Sequence, residues 1–370
     1  MADANEGGAV AEADVRPLVD GLLRQALGAG ASDIHLEPTG TAMEIRFRVD
    51  GVLRTVETLP ADLGHAAVLR LMVMAELLTY RLDIPQEGRI RFAAPPQGRE
   101  LDLRLAILPT AHGLRAAVRL PAELTQPREL EALGLPEEAL AGLEQFARAD
   151  AGMLLVTGPA GAGKTTTIYA LLAHLVKVNP GMSIISLEDP VERLIPGVTQ
   201  VEITPQGGAG QMTHERALKA VLRQDPQVLM LGEVRDAGTA SLAVQAALSG
   251  HRLIATLHAA DPAGAAARLL EMGLEPYQLT STLFGVLSQR LLRRRAPDGA
   301  GYKGRVPVAE FGRVDETVAA AILRRADAAE LRRVFGARAG YQTLRAAAQG
   351  LVDRGVTDAA EVARVLGDRA

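Results

Sequence analysis

Leu18, Val19, Leu22, Leu23 and Leu27 recur at three- and four-residue spacings. They mark one face of a 3.6-residue period and predict an amphipathic helix ending near residues 28–30. The period then drops to two. Met43, Ile45, Phe47 and Val49 alternate with Glu44, Arg46 and Arg48, and Asp50 with Gly51 forms a hairpin turn into 52–56. A helical pattern spans 63–78. Leu101, Leu103 and Leu105, then Leu114, Ala116, Val118 and Leu120, form a second alternating pair joined through 109–113. Residues 15–120 therefore read as an α+β domain with an antiparallel sheet.

Residues 121–150 read as a linker with a short helix. Beyond it the pattern becomes strand, loop, helix, repeated. Runs at 153–157, 183–187, 228–231 and 253–256 are apolar at almost every position, as expected of a parallel sheet covered on both faces. The helix following 153–157 is stopped by Asn179-Pro180-Gly181. From about 262 the chain reads as largely helical, broken at 297–305. No internal repeat is visible. Residues 1–14, acidic and rich in small side chains, are expected to be a disordered tail.

Composition narrows the class. The chain has 370 residues, 48% hydrophobic and 23% charged, with net charge −4. This is the profile of an ordinary globular protein of about two domains. It gives no bulk electrostatic case for nucleic acid or an anionic membrane. No run approaches the ~18 apolar residues of a membrane span, so membrane contact is expected only indirectly. The sequence contains no cysteine, which rules out disulfides and thiolate zinc sites.

The candidate chemistry begins where the first parallel strand ends. Gly158, Pro159, Ala160, Gly161, Ala162, Gly163, Lys164 and Thr165, followed by Thr166, satisfy the glycine-loop pattern for phosphates, between an apolar strand and a helix. The glycines let backbone N–H groups converge on phosphate oxygens, and the helix adds the positive end of its dipole. Lys164 neutralises phosphate charge, and the Thr165 hydroxyl suits Mg²⁺. Two other strands end in carboxylates, Glu188 with Asp189 and Glu233. Each fits either a solvated strand end or, beside a phosphate loop, a Mg²⁺ ligand or water-orienting group. His258 follows a third strand at the same expected edge, where it can sense the γ-phosphate. His251 is the weaker histidine and reads as a partner for a helix C-terminus. In the first domain, Arg104, Arg115 and Arg119 project opposite the leucines. They form either a solvated charged face or arginine fingers delivered to a neighbour's nucleotide.

Taken together these residues resemble the type II secretion and type IV pilus assembly ATPases. The matching segments are Ala31-Ser32-Asp33-Ile34-His35-Leu36-Glu37-Pro38 with 46–53, the phosphate loop, and Leu187-Glu188-Asp189-Pro190-Val191-Glu192. Leu222-Arg223-Gln224-Asp225-Pro226 through Asp236, and Gly250-His251 through His258, complete the set. The resemblance implies an α/β architecture: a PAS-like α+β domain at 15–120 preceding a RecA-like P-loop ATPase domain at 151–370 with a helical C-terminal part. It implies ATP and Mg²⁺ as ligands and a homo-hexamer in which the first domain closes over a neighbour's ATPase domain. Glu188 becomes the water-orienting carboxylate, Glu233 part of the Mg²⁺ shell, and His258 a neighbour of the γ-phosphate. Arg104 and Arg119, with Arg115 nearby, become the residues reaching nucleotide. The implied partner is an inner-membrane platform protein, at the cytoplasmic face of that membrane.

The segments 340–344 with 355–357, and 301–305, resemble assembly members of the family more than retraction members. Some features depart from the pattern. An N-terminal docking domain common in assembly members is expected to be missing, and 293–300 stands where many members carry a four-cysteine zinc loop. Ala259-Ala260 replaces the Thr-Asn that usually follows the histidine, and 207–210 is glycine-rich. A pilus retraction motor and a weakly active nucleotide-binding regulator are the alternative readings.

Overall fold

The computed structural model describes residues 15–94, 99–121, 129–203 and 213–367. The expected tail at 1–14, the glycine-rich stretch at 207–210 and part of the expected linker lie outside the described residues. The chain divides into two compact units, Met1–Thr125 and Gln126–Ala370.

In the first unit the described elements are α1 (Val15–Gly28), β1 (Ala31–Thr39), β2 (Ala42–Val49), β3 (Val52–Pro60), α2 (Ala61–Met74), β4 (Gln86–Ala94), β5 (Arg99–Thr110) and β6 (Gly113–Arg119). The strands form one antiparallel sheet in the order β3-β2-β1-β6-β5-β4. Period-two alternation decides which side is buried. Ile34, Leu36, Ile45, Phe47, Leu103, Leu105, Ala116 and Val118 pack with Leu23, Val68 and Met72 of the two helices. Both expected hairpins are present, the first turning at Asp50 and Gly51, each with positive φ. The helix expected over 63–78 ends at Met74, because Glu76 takes a left-handed φ of 56° and stops it.

The second unit begins with α3 (Glu137–Arg148), within the stretch read as a linker, and its Leu143 and Phe146 are fully buried. There follow β7 (Gly152–Thr157), α4 (Lys164–Val178), β8 (Ile184–Glu188), β9 (Thr199–Glu202), α5 (His214–Val221), β10 (Val228–Leu231), α6 (Ala237–Leu248), β11 (Arg252–Leu257), α7 (Pro262–Glu271) and α8 (Pro276–Thr282). The chain ends with β12 (Leu283–Arg295), β13 (Tyr302–Arg313), α9 (Glu316–Leu323), α10 (Ala328–Gly336), α11 (Leu344–Asp353) and α12 (Ala359–Leu366). The sheet order is β13-β12-β7-β11-β10-β8-β9, parallel throughout except for β13. Met153 and Leu155 face a core formed with α5 to α10, while Leu154 and Val156 face α3 and α4. Successive residues of one strand are thus buried on opposite sides, and the sheet is the middle of three layers.

One expectation is corrected here. The region after 262 carries helices, as expected, but also two long strands that the helical reading did not include: β12 and β13 are 13 and 12 residues long. Leu283–Arg295 lies inside the sheet, between β13 and β7, and its first half is largely buried. Such a run has no two-residue alternation to separate it from a buried helix. The 296–301 connection stands where the resemblance expected a zinc loop, and side chains hold its flanks. Arg293 pairs with Glu361 at 2.6 Å and stacks over the Tyr302 ring at 3.9 Å, while Tyr302 donates to Asp358. Arg364 adds a second guanidinium to Glu361, whose carboxyl is held at about 2 by these partners against the opposing effect of burial.

Candidate functional site

Thr157, Leu231, Leu257 and Glu188 are the last residues of four parallel strands, all at one edge of the sheet. That edge is where an open α/β sheet presents ligand residues. The loop from Gly158 to Gly163 leaves β7 there and enters α4 at Lys164.

The loop is shaped from beneath by β12. Gln289 is 2% exposed; its side-chain amide donates to Ala162 O at 2.8 Å and its carbonyl accepts from Thr167 Oγ1 at 2.8 Å. Thr157 and Ser288 share a hydroxyl hydrogen bond of 2.7 Å. Glycine is required at two positions. A Cβ on Gly158, whose φ is 144°, meets the Gln289 carbonyl oxygen at 2.5 Å, and one on Gly163, φ 88°, meets Gln289 Nε2 at 2.7 Å. The two glycines therefore let the loop lie directly against β12, where a Cβ would collide. Lys164 Nζ donates to the carbonyls of Gly158 and Pro159 at 2.8 and 3.0 Å. Burial pulls the Lys164 pKa down, with Glu233 opposing and Arg290 adding to the effect. An ammonium that is partly desolvated and bonded only to carbonyls is well suited to an arriving phosphate.

A cleft of about 140 Å³ opens beside this loop, lined by Thr165, Glu188, Asp189, Glu192, Glu233, Arg235 and Thr256 among others. The structure thus brings Thr165, Glu188 and Glu233 to one cavity. His258 joins them through Glu233, with Nε2 2.8 Å from Oε1, while Arg235 Nε lies 2.5 Å from the other carboxylate oxygen. Thr256 steadies the same strand end by donating to Gly232 O at 2.5 Å. His251 is separate, with Nδ1 2.8 Å from Ala246 O in the last turn of α6. A larger cavity of about 220 Å³ between β13 and α11 shares no residue with the cleft.

Glu188 behaves differently from Glu233. It is 4% exposed, and its oxygens accept from Ser186 Oγ at 2.5 Å, Gln200 Nε2 at 3.0 Å and the Tyr169 hydroxyl. Tyr169, Ser186, Gln200 and Gln289 were not foreseen as site residues. Only the glycines at 158 and 163 hinted that another chain segment comes so close. Glu192 and Asp189, the other carboxylates of the Glu188 box, are exposed at the cavity.

The donor set fits Mg²⁺ bound with a nucleotide. The Thr165 hydroxyl and the Glu233 carboxylate are both among the groups that line the cleft. No group of three or more His, Cys, Asp or Glu side chains able to hold a metal occurs among the described residues. Mg²⁺ usually keeps several waters and takes few protein ligands beside substrate phosphates.

The three arginines belong to the first unit, on the face turned away from α1 and α2. Strand register places Arg104 opposite Arg119 and also opposite Arg89, while Arg119 lies opposite Asp33. Asp33 pairs with Arg119 and Arg48 at 3.5 and 3.3 Å; Arg115 pairs with Glu37 at 3.5 Å. Arg115 also donates to His35 Nδ1 at 3.0 Å, and the His35 pKa is lowered, first by burial and then by Arg115. Arg104 and Arg119 remain exposed.

This is a RecA-like P-loop fold joined to a separate antiparallel α+β unit. A family model described as Type II/IV secretion system protein matches residues 9–364, and the chain belongs to that family. It is 38% identical to type II secretion system protein E of Xanthomonas campestris pv. campestris, over 96% of this chain and 68% of that protein. It is 36% identical to the type IV pilus assembly ATPase PilB of Thermus thermophilus, over 95% of this chain and 43% of that protein. Among solved structures it is similar to the pilus retraction motor PilT with bound ADP, with TM-score 0.67 and 27% identity, covering 94% of this chain and 96% of that one.

Proposed function

We propose that the chain is the ATP-hydrolysing motor subunit of a type II secretion or type IV pilus machine, acting in the assembly direction. One observation carries this reading. A glycine loop between an apolar strand and a helix, with Lys164 bonded to its carbonyls, opens onto a cleft lined by Thr165, Glu233 and Glu192. Backbone N–H groups of 160–165 and Lys164 hold the phosphates, and the α4 N-terminus adds its dipole. Thr165 and Glu233 hold Mg²⁺, which when bound neutralises charge on the phosphate oxygens. His258 and Arg235 fix the Glu233 carboxylate from both sides.

The expected role of Glu188 is revised within this reading. A carboxylate already accepting from three donors inside the fold is poorly placed to orient water, so that role passes to Glu192, exposed on the same cleft. Arg104 and Arg119, with Arg115 behind them, serve as fingers to the nucleotide of a neighbouring copy in a homo-hexamer. Arg104 lies directly opposite Arg119, which Asp33 partly offsets, and like charges so placed favour a further anion such as a nucleotide phosphate. Domain movement on hydrolysis then acts on an inner-membrane platform protein from the cytoplasmic side. No helix among the described residues is long and apolar enough to cross a membrane.

Assembly is preferred because 301–305 and 340–344 with 355–357 resemble assembly members, and a relative named for assembly is 36% identical over 95% of this chain. The deciding measurement is Mg²⁺-dependent phosphate release by the full chain, expected to be lost in Lys164→Ala. ATP binding with no release above that variant's background would instead favour a nucleotide-binding regulator, the alternative suggested by Ala259 and Ala260. In cells, a deletion that leaves pili in excess would reverse the assigned direction.

A further inference from the structure

We propose that Tyr169 and Glu188 form a positioning pair that ties the helix carrying Lys164 and Thr165 to the acidic turn at 189–195, setting where Glu192 stands. The inference rests on the ATPase reading for its functional meaning and on geometry for its existence.

Tyr169 lies four residues after Thr165 on α4, on the same helix face. Its hydroxyl makes two bonds in opposite senses: it donates to Glu188 Oε2 and accepts from the backbone N–H of Glu192 at 3.1 Å. Residue 192 is the middle of a turn held at successive points by side chains. Val191 N donates to Glu202 at 3.1 Å, Gln200 Nε2 donates to Arg193 O at 2.9 Å, and Ile195 N donates to Gln200 Oε1 at 2.6 Å. The same Gln200 amide donates to Glu188 Oε1 at 3.0 Å, so both ends of the pair's network reach this turn. The Arg193 guanidinium lies 5.5 Å from the Tyr169 ring centroid and covers it from the turn side.

Tyr169 has 1% of its surface exposed and Glu188 4%. Burial and the adjacent carboxylate push the tyrosine pKa upward, so the hydroxyl stays a donor across the accessible pH range. Glu188 therefore acts as an acceptor that fixes the direction of the Tyr169 O–H. That leaves the tyrosine lone pairs facing the Glu192 amide. A shift of the P-loop helix is thereby transmitted to the turn through one oxygen atom.

The test uses the full chain in four forms: wild type, Tyr169→Phe, Glu188→Gln and the double variant. Steady-state hydrolysis is measured alongside binding of a fluorescent ADP analogue, with hydrogen exchange of the peptides covering 189–196 and 158–168. Tyr169→Phe is expected to lower kcat about ten- to a hundredfold, the scale of a small misplacement of a catalytic group, with the ADP dissociation constant changed less than about twofold. Glu188→Gln is expected to lower kcat comparably, and the double variant no more than the worse single one, as for groups acting as one unit. Exchange at 189–196 is expected to rise in Tyr169→Phe while 158–168 is unchanged. Unchanged kcat in Tyr169→Phe overturns the proposal, as does near-complete loss in Glu188→Gln alone, which makes Glu188 the direct catalytic carboxylate. Unchanged exchange at 189–196 also overturns it, whether or not the protein hydrolyses ATP. Wild-type hydrolysis no higher than in Lys164→Ala is a failure of the ATPase reading instead.

Discussion

The sheet edge around Gly158 and the arginine face of the first unit treat charge in opposite ways. At the sheet edge the polar groups are inside the fold and mutually satisfied: Gln289 holds Ala162 and Thr167, Thr157 holds Ser288, and Glu188 holds three donors. On the six-stranded sheet, Arg104 faces Arg119 across β5 and β6, and both stay exposed. The first arrangement is complete before any ligand arrives, because backbone and buried side chains define its shape. The second sets arginines opposite one another and offsets them only in part, through Asp33 beside Arg119. Preorganisation belongs to the phosphate loop, and under the proposed function the arginine row would act on a neighbour's nucleotide.

The largest expected effect breaks the first member of that contrast. Gly158→Ala places a methyl group 2.5 Å from the Gln289 carbonyl oxygen, with φ at 144°, and neither backbone segment can give way cheaply. Nucleotide affinity is expected to fall by about a hundredfold or more, on the scale of several kcal/mol of local strain. The antiparallel unit is expected to keep its own melting behaviour. Fluorescent ADP titration together with calorimetry reads both. Near-normal affinity would mean the loop reshapes freely and is not preorganised by β12.

Arg104→Ala addresses the second member. Hydrolysis is expected to fall by about a thousandfold, at the low end of arginine-finger effects, with ADP affinity nearly unchanged. The sharper measurement is complementation. Arg104→Ala and Lys164→Ala proteins are each expected to be inactive, yet their mixture is expected to regain part of the activity if the arginine acts on a neighbouring copy. No recovery in mixtures shown to co-assemble would assign Arg104 to its own chain or to solvent.

Much of this contrast was legible in the residues, though unevenly. The phosphate loop, the acidic ends of β8 and β10 and His258 follow from apolar strands ending in chemistry-bearing side chains. Their common edge is a property of parallel topology. The antiparallel alternation likewise put Arg104, Arg115 and Arg119 on one face, and carboxylates do neutralise part of it, through Asp33 and Glu37. What stayed hidden required long-range contacts. Gln289 is 127 positions from Ala162, so nothing local marks it as part of the loop. β12 was taken for helix because burial on both faces erases the period-two signal. β1 and β4 were not assigned either: Asp33, His35 and Glu37 alternate with apolar residues, but Pro38 interrupts the run, and 86–94 carries Gly88 and two arginines. The role of Glu188 is ambiguous in the sequence, because a carboxylate at a strand end can orient water or hold the fold, and only its hydrogen-bond partners separate the two.

The smallest expected effect asks how closely the arginine face is balanced. His35 sits between Arg115 and Arg48 on one side and Asp33 and Glu37 on the other, and its pKa lies below the ordinary 6.5. Arg115 donates to Nδ1, so the folded protein holds the ring neutral. The unfolded chain takes up this proton first as pH drops below about 6.5, the ordinary value for an unperturbed imidazole. It then binds more protons than the folded chain, and stability declines until the folded ring also titrates. Between pH 7.5 and 5.5 the melting temperature of wild type is expected to drop further than that of His35→Gln, by on the order of 1 °C for a partly exposed group. Both proteins should agree at the upper end of the range apart from a constant offset. Identical pH profiles would mean that the carboxylates offset both the burial of the ring and the arginines at this position.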